Sequence, residues 1–163
     1  MTDPVTKAFA GDPEQNSPFA PDNDDAYHAW RKRKLADYPA RLEDLLVQIR
    51  DPRQLTQDEH QAILQRICRC NMAIYVSAAA GDADKQAVRA LGGQFGLHRL
   101  DHNMGADDDA VSSLSVQPDA LHQGYIPYTT RPIAWHTDGY YNTPQRQILG
   151  MLLHCAQAAA EGG

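Results

Sequence analysis

A chain of 163 residues has the length of one domain, and its 42% hydrophobic and 22% charged residues are those of an ordinary soluble globular protein. The net charge of -6 argues against a nucleic-acid binder, which needs a basic face to neutralise phosphates. No apolar run approaches the ~20 residues of a membrane helix, and Met1-Thr2-Asp3-Pro4 lacks the basic-then-apolar pattern of a signal peptide, so a cytoplasmic setting is expected.

Residues 1–23, rich in Pro, Asp, Asn, Ser and Gly, read as a flexible N-terminal arm. Residues 24–163 read as the domain. A helix is expected from Asp24 or Asp25, with Tyr27, Trp30, Lys34 and Leu35 near helical spacing and acidic residues at the positive end of its dipole. Its basic cluster, Arg31-Lys32-Arg33-Lys34, reads as a solvated face rather than a patch for an anionic partner. Pro39 interrupts this helix. Leu42, Leu45, Leu46 and Ile49 then predict one face of a second helix, ended by Asp51-Pro52. The third helix has the clearest start, because Thr56 with Glu59 three residues on makes a capping box. Ile63, Leu64, Ile67 and Cys68 supply its apolar side, and Asn71 ends it.

Met72-Ala73-Ile74-Tyr75-Val76 is short and rich in strand formers, and predicts a buried strand. Gly81-Asp82 reads as a turn. A further helix opens at Asp82 or Asp84, runs through Val88 and Leu91, and stops at Gly92-Gly93. Phe95 to Leu100 suggests a short strand, Asp101 to Ala110 an acidic loop, Ser113 to Val116 an alternating strand, and Gln117 to Arg131 a loop. The run from Gln147 to Cys155 is nearly continuously apolar and of strand length. Gly162-Gly163 is a turn signal after it. Only four or five candidate strands are present, whereas a jelly roll needs eight. The fold is therefore expected to be incomplete, with an unpaired apolar edge. Three cysteines, Cys68, Cys70 and Cys155, do not form a disulfide framework or a zinc pattern and read as small buried side chains.

Between Pro132 and Gly139 lies Ile133-Ala134-Trp135-His136-Thr137-Asp138. In an extended segment residues two apart share a face, so His136 and Asp138 present an imidazole and a carboxylate side by side. That is two-thirds of the 2-His-1-carboxylate triad that holds non-heme Fe(II) and leaves positions open. A second His in that role is not evident in the chain. The plain alternative is a surface strand end carrying a His–Asp hydrogen bond. Trp135 is expected in the core, opposite His136. Tyr140, Tyr141 and Asn142 follow directly and are candidates for substrate contacts, with packing or turn roles as the alternative. His98 and His102 do not form a helical metal pair, His154 reads as a satisfied core histidine, and His122 sits in a loop. Arg131 and Arg146 read as surface charges. No glycine fingerprint or phosphate loop is complete.

From about Met72 to Gly163 the chain resembles the TauD/TfdA family of Fe(II)- and 2-oxoglutarate-dependent dioxygenases. The residues that carry this are Ala73-Ile74-Tyr75-Val76-Ser77, the Leu91 to Leu97 stretch with Phe95-Gly96, Trp135-His136-Thr137-Asp138-Gly139, and Ile148 to Cys155 leading to Gly162-Gly163. The resemblance implies an α+β fold: N-terminal helices and part of a jelly-roll (double-stranded β-helix, clavaminate synthase-like) core. It implies that His136 and Asp138 are metal ligands for Fe(II), with 2-oxoglutarate as co-substrate and hydroxylation of a small organic molecule as the reaction. In the family the second His, a Thr and an Arg for the co-substrate lie further along, beyond Gly163. The chain is accordingly expected to be the N-terminal portion of such an enzyme and weak in iron binding by itself. The alternative is a catalytically inactive homologue acting as a binding module or homo-oligomer through its open edge.

Overall fold

The computed structural model describes residues 17–77, 84–100, 111–116, 118–119 and 124–160. It divides the chain into two units, Met1–Gly96 with His154–Gly163, and Leu97–Leu153. The described part of the first unit is α+β. Its elements in chain order are α1 (Asp24–Ala36), β1 (Leu46–Ile49), α2 (Gln57–Cys70), β2 (Ile74–Ser77) and α3 (Lys85–Gln94).

Turns at residues 17–23 lead into α1, where Phe19 meets Trp30 edge-on at 5.0 Å. The side chain of Asn23 accepts from Ala26 N at 3.2 Å, and Asp24 and Asp25 occupy the first turn. This is the expected start, with the cap one residue earlier. The basic cluster splits in two. Arg31, Lys32 and Arg33 are exposed, as a solvated face requires. Lys34 Nζ instead donates to Cys68 O (3.0 Å), Arg69 O (3.2 Å) and Asn71 Oδ1 (3.0 Å). It thereby satisfies carbonyls that the end of α2 leaves without helical partners, at the negative end of the dipole.

The second expected helix is not formed. Leu42–Leu45 is a single 3-10 turn, and Leu46–Ile49 is strand β1. Leu45, Val47 and Ile49 are buried while Gln48 is exposed, so a period of two overrides the helical spacing of Leu42, Leu45, Leu46 and Ile49. The β-branched Val47 and Ile49 favour the strand, and a parallel partner stabilises it. That partner is β2, in the register Leu46↔Ile74, Val47↔Tyr75, Gln48↔Val76 and Ile49↔Ser77. Parallel strands need a crossover, and α2 supplies it. Among the described residues the sheet has these two strands. The expected strand at Met72–Val76 is thus present two residues later. It is half-buried rather than fully buried, with Val76 exposed.

Helix α2 begins as read. Thr56 Oγ1 accepts from Glu59 N at 3.3 Å, and Glu59 Oε2 accepts from Thr56 N at 2.7 Å. It ends as read, with Asn71 at φ 63 and its N–H donating to Ile67 O at 2.8 Å. Its Ile63 joins Val47 and Ile49 in the core. Leu55, Ala62, Ile67, Ala73, Tyr75 and Phe95 pack around them.

Helix α3 starts at the second of the two expected sites, with Asp84 Oδ1 accepting from Gln86 N at 2.8 Å. It does not stop at Gly92-Gly93 but continues to Gln94. The reason is tertiary. Gln94 accepts from Leu55 N at 2.8 Å and donates to Pro52 O at 3.0 Å, while His60 Nε2 donates to Gln94 O at 2.9 Å. The His60 ring stacks on Phe95 at 4.6 Å. These contacts outweigh the low helix propensity of two glycines.

The Phe95–Leu100 strand is not formed, because Gly96 takes φ 82 and turns the chain. In the second unit, neither Ser113–Val116 nor Ile148–Leu153 is a strand, and the rest of the expected run to Cys155 is irregular as well. A 3-10 turn at Ile126–Tyr128 buries Tyr128. A second at Pro144–Arg146 precedes the apolar run, and Arg99 donates to Gln145 O at 2.6 Å. No jelly roll is formed by the described residues.

The cysteine expectation fails as well. Cys68 and Cys155 are exposed and Cys70 is half-buried. No helix among the described residues is long and apolar enough to cross a membrane. The turn expected at Gly81-Asp82, the loop Asp101–Ala110, His102, His122 and Gly162-Gly163 lie outside the described residues.

Candidate functional site

His136 and Asp138 stand in an irregular segment between Pro132 and a turn at Asp138–Tyr141. The turn is closed by Asn142 N donating to Gly139 O at 2.8 Å. Gly139 has φ 65, a conformation that side chains resist. A Cβ there would also lie 2.7 Å from Ile148 Cδ1 and 2.8 Å from Asn142 Nδ2. Both are side-chain ends that can yield, so the dihedral is the firmer reason for glycine. The turn folds the chain back directly after Asp138.

The imidazole and carboxylate come together. His136 Nε2 lies 3.6 Å from Asp138 Oδ1, and both side chains are about half exposed. That is beyond a good hydrogen bond. Two donors each about 2.1 Å from one divalent ion lie about 3 Å apart at a right angle, so the pair stands close to coordination spacing. The other ring nitrogen is committed, since His136 Nδ1 is 2.8 Å from Ala134 O. A carbonyl only accepts, so Nδ1 carries the proton. Nε2 is then the ring nitrogen nearer the carboxylate. A ligating His ordinarily has this second hydrogen bond. Sequence reading missed the role of the Ala134 carbonyl, because a backbone acceptor leaves no residue-type signal.

No family model, curated protein or solved structure matches this chain. The site is therefore read from its own chemistry. Among the described residues no group of three or more His, Cys, Asp or Glu side chains gathers to hold a metal.

Around the pair, Trp135 is 105% exposed, which corrects the expectation that it is core. With no strand to define two faces, alternation gives it no interior to enter. Tyr140 and Tyr141 are exposed and meet edge-on at 5.3 Å. The Asn142 side chain donates to Arg146 O at 3.0 Å and is half-buried, so it belongs to the turn. Arg131 is exposed, as expected, and donates to Thr129 Oγ1 through its backbone N at 3.2 Å. His98 is exposed.

In the first unit a second His is held differently. Tyr75 OH lies 2.6 Å from His154 Nδ1, and the rings stack at 6.0 Å with 12° between planes. Burial raises the Tyr75 pKa, which keeps the phenol protonated. The His154 ring is half-buried, and its Nδ1 has this hydroxyl as its partner. That agrees with its reading as a structural histidine, although its partner is an aromatic hydroxyl from β2.

Proposed function

We propose that His136 and Asp138 seed the Fe(II) centre of a 2-oxoglutarate-dependent dioxygenase acting on a small organic substrate, within a jelly-roll core of which this chain supplies a part. The observation that carries the reading is the oriented pair. One imidazole has its Nδ1 proton fixed by Ala134 O, and its Nε2 lies 3.6 Å from a carboxylate oxygen, both side chains about half exposed. The order of Trp135-His136-Thr137-Asp138-Gly139 and the later apolar run supports the same family likeness. Bound iron and 2-oxoglutarate would activate dioxygen, the oxidant, toward a C–H bond. The chain's own contribution is narrower. His136 offers a neutral nitrogen donor, Asp138 offers charge and an oxygen donor, and Gly139 holds the turn that keeps them adjacent. The exposed rings of Tyr140 and Tyr141 offer apolar and hydroxyl surface to a substrate beside the metal. The closing donor comes from a segment other than the described ones. The setting we propose is cytoplasmic, where Fe(II) and three free thiols are compatible.

The test is Fe(II)-dependent succinate release from 2-oxoglutarate by the protein expressed from its complete reading frame. His136→Ala and Asp138→Asn are expected to abolish release, and release unchanged in both variants overturns the reading. In the 163-residue chain two protein ligands should hold Fe(II) weakly, measured by titration calorimetry. Tight one-to-one binding that survives His136→Ala contradicts the assignment of the pair.

A further inference from the structure

Helix α1 differs from the other two helices in what holds it. α2 buries Ile63 and α3 buries Leu91 and Gly92, whereas α1 has no buried residue. Its inward side is one narrow stripe four residues apart. Ala26, Trp30 and Lys34 are half-buried, and every other residue of α1 is exposed. Trp30 has ring neighbours from its own stretch of chain, Phe19 at 5.0 Å and Tyr27 at 5.9 Å. Hydrogen bonds to α2 gather at the C-terminal end of α1. Lys34 Nζ donates to Cys68 O, Arg69 O and Asn71 Oδ1, all within 3.2 Å. Arg69 Nε donates back to Asp37 O, just past α1. Two residues later Pro39 is buried, and the chain re-enters the packed part of the unit.

The geometry points to a latched strap: residues 17–36 open as a unit about residues 37–39, and the Lys34 ammonium on the C-terminal end of α2 holds them closed. The closed state rests on a few charge-assisted hydrogen bonds, not on a buried apolar face, so it opens at less cost than the core does. The acceptors suit lysine. Two carbonyls and an amide oxygen converge on one atom, which matches the three donors of an ammonium. Opening returns the Lys34 charge and the Cys68 and Arg69 carbonyls to water, so the open state strands no polar group without a partner. A change that neutralises Lys34 removes the latch and leaves Val47, Ile49 and Ile63 packed together.

The strap is tested by amide hydrogen exchange on the 163-residue chain, with acrylamide quenching of Trp30 in a Trp135→Phe background that leaves one tryptophan. In the parent chain Asp24–Ala36 is expected to open more readily than residues 57–66. Lys34→Met keeps the stem and deletes the charge. It should speed exchange across Asp24–Ala36 about tenfold and raise the quenching of Trp30. Exchange at Leu46–Ile49, residues 57–66 and Ile74–Ser77 should stay at the parent's rate. Lys32→Met removes the same charge from the exposed side of the same helix and should match the parent. Three results overturn the latch: exchange of α1 in step with α2 in the parent chain, unchanged exchange of α1 in Lys34→Met, or equal loosening by Lys32→Met. Loosening in Lys34→Met that spreads to Leu46–Ile49 and Ile74–Ser77 together with α1 also overturns it, since α1 then belongs to one cooperative core.

Discussion

Glu59 joins two elements with one carboxylate. Oε2 accepts from Thr56 N at 2.7 Å and closes the capping box, while Oε1 accepts from Arg50 N at 2.9 Å just past the end of β1. The Thr56 hydrogen bonds are the largest cause of its lowered pKa, with the Arg50 N–H and charge adding to it. The sign follows directly. A carboxylate whose folded pKa lies below its unfolded value near 4.3 contributes stability that is full above that value and is lost as pH falls through the folded one. The urea midpoint should therefore decline on acidification below about pH 4.3, and Glu59→Gln should remove part of that decline. Thr56→Ala, which removes the other half of the box, should cost about 1 kcal/mol by urea denaturation. A Thr56→Ala midpoint equal to that of the parent would show that the cap contributes nothing. These residues were legible in advance because a capping box is local: Thr56, Glu59 and Asn71 act within one turn of their own helix end. The pairing of Tyr75 with His154 was not legible, since nothing local joins residues 79 apart.

At the scale of elements, local signals held and competing periodicities did not resolve themselves. Leu42, Leu45, Leu46 and Ile49 satisfy a helical face, and Leu45, Val47 and Ile49 satisfy a strand equally well. Only the partner strand, 28 residues further on in the register Leu46↔Ile74, decides between them. Gly92-Gly93 fails as a stop for the same kind of reason, because Gln94 is held by Pro52, Leu55 and His60 from elsewhere in the unit. Ile63 is where this tertiary decision is enforced, since it packs from α2 onto Val47 and Ile49. Ile63→Ala should cost about 2–4 kcal/mol and Ile63→Val about 1 kcal/mol, read from chemical denaturation followed by far-UV circular dichroism. If Ile63→Ala costs no more than Ile63→Val, the side chain is not the keystone of the β1–α2–β2 packing. The candidate metal pair was legible as residue types two apart. Its orientation was not, because the Ala134 carbonyl and the left-handed Gly139 act through backbone geometry.

At the scale of the whole molecule the apolar burial is uneven. Leu45, Val47, Ile49, Ile63 and Leu91 are buried in the first unit, and Tyr128 is the buried large apolar side chain of the second among the described residues. Backbone hydrogen bonding follows the same division. Among the described residues the first unit has three helices and a paired sheet, and the second unit has short 3-10 turns and isolated turn bonds. Exchange of amide hydrogens requires opening, and opening is costly where apolar contacts and hydrogen bonds are dense. Amides of Leu46–Ile49, Gln57–Cys70 and Ile74–Ser77 should therefore exchange slowly and together, and Ile63→Ala should accelerate all three. Amides of Ile133–Asn142 and Ile148–Leu153 should exchange fast in dilute chain. Saturating Fe(II), in a form of the protein that binds it, should slow exchange around His136–Asn142, because ordering the ligands orders the turn behind them. Iron-independent exchange at His136–Asn142 would count against the metal pair.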